Sequence, residues 1–347
     1  MGRAAAARKL ASAAAYGGGG LSVLGASLYG LLRAEAKVAR KAIGRLEGRV
    51  PDATGWYGRG RPGPAIKVAL LGDSSAAGYG VTTVEDTPGA MLGSGIAAQA
   101  NRRVHLGAFC LSGAKSSDLV GQVGAALPTE PDLAVILIGA NDVTHRMLPS
   151  ESVRFLSEAV RHLQDAGVAV VVGTCPDLGT VRPIPQPLRQ VARRWSRRLA
   201  AAQTIAVVEA GGRTVSLGSI LGPEFDAAPA VLFGPDRFHP SAAGYAWMVG
   251  VLLPSALAAL GLSPDDQADT RRSEGLRSIS KAAVHASKNP GTEVDGTEVA
   301  GSARGPGGRW VLQLRRRWLK AENAEAPGSE ETEPGAEGSD VEPAGTT

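Results

Sequence analysis

The amino-acid sequence predicts an α/β fold, a three-layer α/β/α sandwich built on a five-stranded parallel sheet. Three observations lead there. From Ile66 onward, short Val/Leu/Ile runs alternate with longer amphipathic segments, the pattern of strands buried on both faces and joined by crossover helices. Apolar residues make up 44% of the chain, but the runs suited to a core stop near Leu262, which places one domain between polar or irregular tails. Clusters of Gly, Asp, Asn and Ser fall at the carboxyl ends of the runs, where open parallel sheets gather their sites.

The N-terminus comes first in order. Arg3, Arg8 and Lys9 precede residues 10–32, which carry no charge and are long enough to span a bilayer. Residues 1–50 therefore read as a basic and apolar leader and a candidate membrane anchor. The stretch is mostly Ala, Gly and Ser, which weakens insertion, so a flexible leader or a surface helix is the alternative. No Ala-x-Ala site ends it, which argues against a cleaved signal peptide. Arg33, Lys37, Arg40, Lys41 and Arg45 follow and resist translocation. An exported or membrane-bound chain with its main domain outside thus stands beside a cytoplasmic one. Residues 51–65 read as a linker.

Strands are expected at 66–71, 103–109, 133–138, 168–173 and 205–208. Helices are expected at 88–101, 117–126, 150–166, 187–203 and 241–260. Five parallel strands with crossover helices give a flavodoxin-like sandwich over residues 66–262, with strand order 2-1-3-4-5. The Pro-rich stretches 175–187 and 217–235 can line or cover a site at the strand ends. Residues 263–347 read as a largely disordered tail. Within it, residues 309–320 form a short basic amphipathic segment with Trp310, Leu314 and Trp318 on one side, of a kind that lies on a membrane or docks on a partner.

Composition excludes several function classes. The net charge is only +4 and aromatic residues only 4%, with no interleaving of aromatics and basic residues in the folded region, so a nucleic-acid partner is not expected. The two cysteines, Cys110 and Cys175, would end strands three positions apart, about 14 Å at the usual strand spacing. A disulfide needs Cα atoms within about 7 Å, so free thiols are expected. Neither the cysteines nor the His, Asp and Glu residues show metal-ligand spacing, and no metal or cofactor is expected.

The chemistry concentrates in four places. Gly72-Asp73-Ser74-Ser75 stands where the first strand ends, a strand-to-helix turn that can expose a serine hydroxyl and aim its N–H at the same point. Asp236-Arg237-Phe238-His239-Pro240 precedes the last helix. A serine needs a base of near-neutral pKa, and that base needs a carboxylate to hold its tautomer, so Asp236 and His239 can serve as the pair. Gly139-Ala140-Asn141-Asp142 follows the third strand and Gly113 the second. The N–H groups of Ser74 and Gly113, with the Asn141 amide, would then converge as donors to an oxyanion.

These residues, in this order, resemble the SGNH hydrolases, also called GDSL esterases and lipases. The four blocks of that family are matched by Gly72-Asp73-Ser74, by Gly113 within Leu111-Ser112-Gly113-Ala114, by Gly139 to Asp142, and by Asp236 to His239. One departure is Ser75, where the family often has leucine. The resemblance covers residues 66–262 and implies a flavodoxin-like sandwich and metal-free hydrolysis through an acyl-enzyme. It implies Ser74 as nucleophile, Asp236 and His239 as acid and base, and Ser74, Gly113 and Asn141 as the oxyanion hole. The expected substrate is a short acyl or acetyl ester, of a small molecule or of an envelope lipid or glycan. No long insertion between strands suggests a large lid, which favours accessible small acyl groups. An acyltransferase or thioesterase would use the same site. A non-catalytic membrane-associated binding protein is the alternative of another class, and the intact Ser74, Asn141, Asp236 and His239 argue against it.

Overall fold

The computed structural model describes residues 25–43, 50–218 and 229–262, with two short strands further on. Residues 10–24 of the candidate anchor and the basic segment 309–320 lie outside the described residues. Five strands are parallel: β2 (Ile66–Gly72), β3 (Val104–Ala108), β4 (Leu133–Leu137), β5 (Ala169–Gly173) and β6 (Arg213–Val215). Their order is β3-β2-β4-β5-β6, which is the expected 2-1-3-4-5.

The parallel core carries antiparallel additions at both edges. β1 (Gly55–Tyr57) pairs with β3, Trp56 opposite His105. This makes the sheet six-stranded over residues 50–262, and the stretch 51–65 is part of the domain, not the linker expected. Ala53 beside it is buried. Beyond β6, β7 (Glu293–Val294) pairs with Thr214 and Val215, and β8 (Val299–Ala300) pairs with β7. Thus two strand pairings fall in the region read as an irregular tail. Strands of two or three residues leave almost no period-2 pattern to detect.

The fifth parallel strand lies further along the chain than expected. Residues 205–208 belong to a helix, α7 (Leu188–Glu209), and the strand is Arg213–Val215. The buried positions Ala200, Gln203, Thr204, Val207 and Val208 recur every three to four residues, the helical period. The apolar run Ile205-Ala206-Val207-Val208 imitates a strand because it is short and continuous. Gly211, with φ +90°, then turns the chain into β6.

The other helices are α1 (residues 25–43), α2 (Ser74–Ala77), α3 (Pro88–Ala100), α4 (Leu119–Ala126), α5 (Ala140–Thr144), α6 (Pro149–Asp165), α8 (Pro229–Leu232) and α9 (Ala242–Ala259). Alternation along the central strands sorts the core into two layers. Ile66, Val68, Leu70, Leu133, Val135 and Leu137 pack with Leu92 and Ile96 of α3 and with Tyr245, Met248 and Leu252 of α9. Ala69, Leu71, Ala134 and Ile136 pack with Leu119 and Val123 of α4 and Leu156, Val160 and Leu163 of α6. Among the described residues α9 is long and apolar enough to cross a membrane, but 56% of that window is buried, and Tyr245 in it is fully buried with its hydroxyl donating to the Tyr79 carbonyl at 2.7 Å. It serves here as the core helix of its layer.

The N-terminal helix α1 is docked on this domain. Its Ala39 joins the first core layer, and its buried Glu35 accepts from the Leu188 N–H at 2.8 Å. The residue before α7 is Pro187, which offers no side-chain cap. A carboxylate from a distant element therefore satisfies an N–H that the helix itself leaves unpaired.

Candidate active site

The site forms at the carboxyl ends of β2, β3 and β4, and the turn after β2 begins it. Gly72 has φ +138°, and a Cβ there would lie 2.0 Å from the carbonyl oxygen of Leu137 on the neighbouring strand. Only glycine lets the strand pass that close and still turn. The Asp73 carboxylate caps α2 by accepting from Ser75 N–H at 2.8 Å. This leaves Ser74 in the first turn, where the helix cannot engage its N–H.

The Ser74 Oγ lies 2.9 Å from His239 Nε2, and His239 Nδ1 lies 2.6 Å from Asp236 Oδ2. The turn before α9 builds the pair: Asp236 Oδ1 accepts from the N–H groups of Phe238 and His239, both at 3.0 Å. Arg237 between them takes φ +56°. Burial alone would raise the Asp236 carboxyl, but the hydrogen bond from His239 and those from the backbone outweigh it and hold it below its ordinary value. A carboxylate so held can fix the imidazole tautomer and stabilise the imidazolium. The His239 ring is itself packed between Tyr79 and Phe238, with centroids 4.7 and 4.9 Å away.

The expected oxyanion residues come from adjacent loops. Gly113, φ +82°, lies in the loop after β3, and a Cβ there would meet nothing within 4 Å. Asn141 lies in α5, directly after the Gly139 turn, and its Nδ2 donates to the Ala114 carbonyl at 3.0 Å. That bond ties the Gly113 loop to the Asn141 loop and leaves the amide a second N–H to offer. Ser74, Gly113 and Asn141 thus follow three neighbouring strands, β2, β3 and β4. All five expected residues, Ser74, Gly113, Asn141, Asp236 and His239, therefore occupy this one end of the sheet.

Several groups support the site, some outside the motifs that the sequence singles out, such as Gln122, Gln203, Ser116 and Ser152, and some within them, such as Asp73 and Asp142. Gln122 of α4 accepts from Gly72 N–H at 2.7 Å and donates to the Gly72 carbonyl at 2.9 Å, clasping the turn. Gln203 of α7 does similar work behind the Asn141 loop, donating to the Ile138 carbonyl and accepting from Cys175 N–H. The fully buried Asp142 accepts from the N–H and hydroxyl of Ser116 and from the Ser152 hydroxyl at 2.6 Å. A signal exists for Gln122, the one polar residue on the otherwise apolar buried face of α4. Asp73, fully buried, is pushed up to about 6 by burial, against the hydrogen bond from Ser75 and the charge of His239. Cys110 and Cys175 are free, as expected, with burial raising both thiols.

A cavity of about 50 Å³ is lined by Asp73 and Ser75, the neighbours of Ser74 in sequence, and mainly by apolar groups that include Leu137, Ala140, Leu178, Val181, Phe238 and Met248; Ser74, Asp236 and His239 are not in its lining. A larger groove of about 720 Å³ lies at the opposite end of the sheet, by Ile66, Asp132, Gly167 and Leu260. It touches none of the residues above.

Residues 70–247 match the model of the GDSL-like lipase/acylhydrolase family. A GDSL-like esterase of Mycobacterium tuberculosis is 42% identical over 255 residues, covering 70% of this chain and 80% of that protein. Among solved structures, an acetylxylan esterase of Geobacillus stearothermophilus is 18% identical, covering 58% of this chain and 97% of its own, with a TM-score of 0.46. An α/β hydrolase from the metagenome of Lake Arreo is 20% identical over the same shares, also at 0.46. On the family match and the mycobacterial relative, the chain belongs to the GDSL-like lipase/acylhydrolase family and is a carboxylic ester hydrolase of that type.

Proposed function

We propose that this esterase cleaves short acyl esters through an acyl-enzyme on Ser74. The observation that carries the reading is the unbroken chain Ser74–His239–Asp236, with links of 2.9 and 2.6 Å. In the proposed cycle His239 takes the Ser74 proton as Oγ attacks the ester carbonyl, and the carbonyl oxygen becomes an oxyanion. The N–H groups of Ser74 and Gly113 and the Asn141 amide receive it. His239⁺ then protonates the departing alcohol oxygen, leaving Ser74 acylated. A water, deprotonated by the same imidazole, attacks the acyl carbonyl; as that intermediate collapses the Oγ–acyl bond breaks, His239⁺ returns the proton to Ser74 Oγ and the acid leaves. Asp236 stays ionised throughout and compensates the imidazolium.

The short-acyl preference rests on the small size of the 50 Å³ cavity next to the Ser74 turn, lined by Asp73 and Ser75 and by Ala140, Leu178 and Phe238. A water needs about 10–15 Å³ on this measure, so the space takes about three to five water-sized groups, the size of a short acyl chain such as acetyl or propionyl. A series of p-nitrophenyl esters tests this. Acetate and propionate should show the highest kcat/KM, with a fall of about tenfold or more by octanoate, as expected when methylenes find no space. A flat or rising series contradicts it. Adding methanol to the assay distinguishes hydrolysis from transfer: predominant methyl ester formation would make the chain a transferase.

A further inference from the structure

The family match begins at residue 70, yet α1 lies on the rim of the site. Three contacts place it there. The positive charge of Arg146, which follows the helix carrying Asn141, faces the Tyr29 hydroxyl and lowers its pKa. Glu35 accepts from Leu188 N–H, at the end of the loop that follows β5. The Ala42 carbonyl accepts from Arg237, between Asp236 and His239, at 3.4 Å. Both arginines are non-glycine residues with positive φ, 60° and 56°.

The helix is divided along its length. Residues 25–31 are exposed on every side and carry no charge, and among them Leu28, Tyr29 and Leu31 are about half exposed. Arg33, Lys37, Arg40 and Lys41 follow and are also exposed. The apolar turns continue, without a charge, the stretch that starts at Leu10. An uncharged, apolar helical end followed by basic residues at i, i+4, i+7 and i+8, a stripe along one exposed face, suits an anionic bilayer surface, the apolar turns in contact with hydrocarbon and the stripe with phosphate.

We infer that α1 seats the mouth of the site on an anionic lipid bilayer, so that the esters it cleaves are carried by membrane amphiphiles. This rests on the esterase reading above. At 1.5 Å per residue, Tyr29 and Ala42 are about 20 Å apart along the helix. Arg146 and Arg237 therefore tie the loops that follow Asn141 and precede His239 to α1 within about that distance, along the helix, of the turns that meet the bilayer.

The test uses the full-length chain and vesicles of phosphatidylcholine with one-quarter phosphatidylglycerol. An environment-sensitive fluorophore on Leu31→Cys should shift to the blue on adding vesicles, while the same label on Val120→Cys, exposed on α4, should not. Emission from residue 31 that stays water-like overturns the docking. The second arm compares an acetylated diacylglycerol in the vesicles with soluble p-nitrophenyl acetate. Leu28→Glu with Leu31→Glu should lower the ratio of lipid-ester to soluble-ester turnover by about tenfold or more, with the soluble rate within twofold of the parent. An unchanged ratio, or soluble activity with no action on the lipid ester, overturns the substrate inference. Absence of turnover on both esters instead refutes the esterase reading, and the fluorophore result still decides the docking.

Discussion

Replacing Gly72 by alanine perturbs the site at its narrowest point. The new methyl would lie 2.0 Å from the Leu137 carbonyl oxygen, where 3.0 Å is already closer than real Cβ contacts come. Either strand β2 or β4 must therefore shift by about 1 Å, and φ +138° adds strain of about 1–3 kcal/mol. Gln122, which clasps Gly72 from both sides, opposes the shift. Ser74 is two residues away, and a misplacement of about 1 Å costs on the order of 10² in rate. Gly113→Ala is the control: it has a positive φ too, but no atom within 4 Å of the added Cβ. Steady-state kinetics on p-nitrophenyl acetate with urea unfolding should give a loss of about 100-fold and about 3 kcal/mol for Gly72→Ala, and about 1 kcal/mol for Gly113→Ala. Gly72→Ala within twofold of wild-type turnover and stability would refute the close-approach argument.

Other substitutions have equally definite outcomes. Asn141→Ala should lower kcat by about 10²–10³ with little change in KM, as the loss of an oxyanion donor does; an unchanged kcat removes it from the mechanism. Gln122→Leu should cost about 1–3 kcal/mol in chemical denaturation, because the Gly72 N–H loses its partner while the Gly72 carbonyl keeps the Leu111 N–H. No loss would mean the turn is held otherwise. Asp73 is raised from 3.8 to about 6 in the fold, so the folded state binds the extra proton and stability falls as pH rises from about 4 to 6. Asp73→Asn should remove that slope, gaining up to about 3 kcal/mol relative to wild type by pH 7. Parallel stability–pH curves for the two proteins would contradict it.

How far the fold can be read from sequence depends on run length. Strands β2 to β5 lie between helices and are buried on both faces, so runs such as Leu133 to Leu137 are apolar throughout and stand out. β6 has three residues and a buried Thr214, while the longer run at Ile205 belongs to the preceding helix, and nothing within either segment favours the right assignment. β1 escapes a sequence reading because Gly55-Trp56-Tyr57 looks like a turn until β3 is there to pair with it. The site is more legible than its support. Ser74, Gly113, Asn141, Asp236 and His239 announce themselves through glycine turns and through spacing close in sequence. Gln122 and Asp142 act across 50 and 26 residues respectively, and such contacts exist only once the layers are packed. The docking of α1 through Glu35, 153 residues from Leu188, is invisible in the sequence for the same reason.

The role of Ser74 is tested most directly by trapping the acyl-enzyme. The full-length protein is mixed with p-nitrophenyl acetate, quenched in acid within the first turnovers, and digested for peptide mass analysis. An added acetyl group on the peptide containing Ser74, absent in Ser74→Ala and accompanied there by a fall in turnover to below about one-hundredth, is the predicted result. Acetylation at another residue, or Ser74→Ala keeping more than that fraction of activity, would contradict the account.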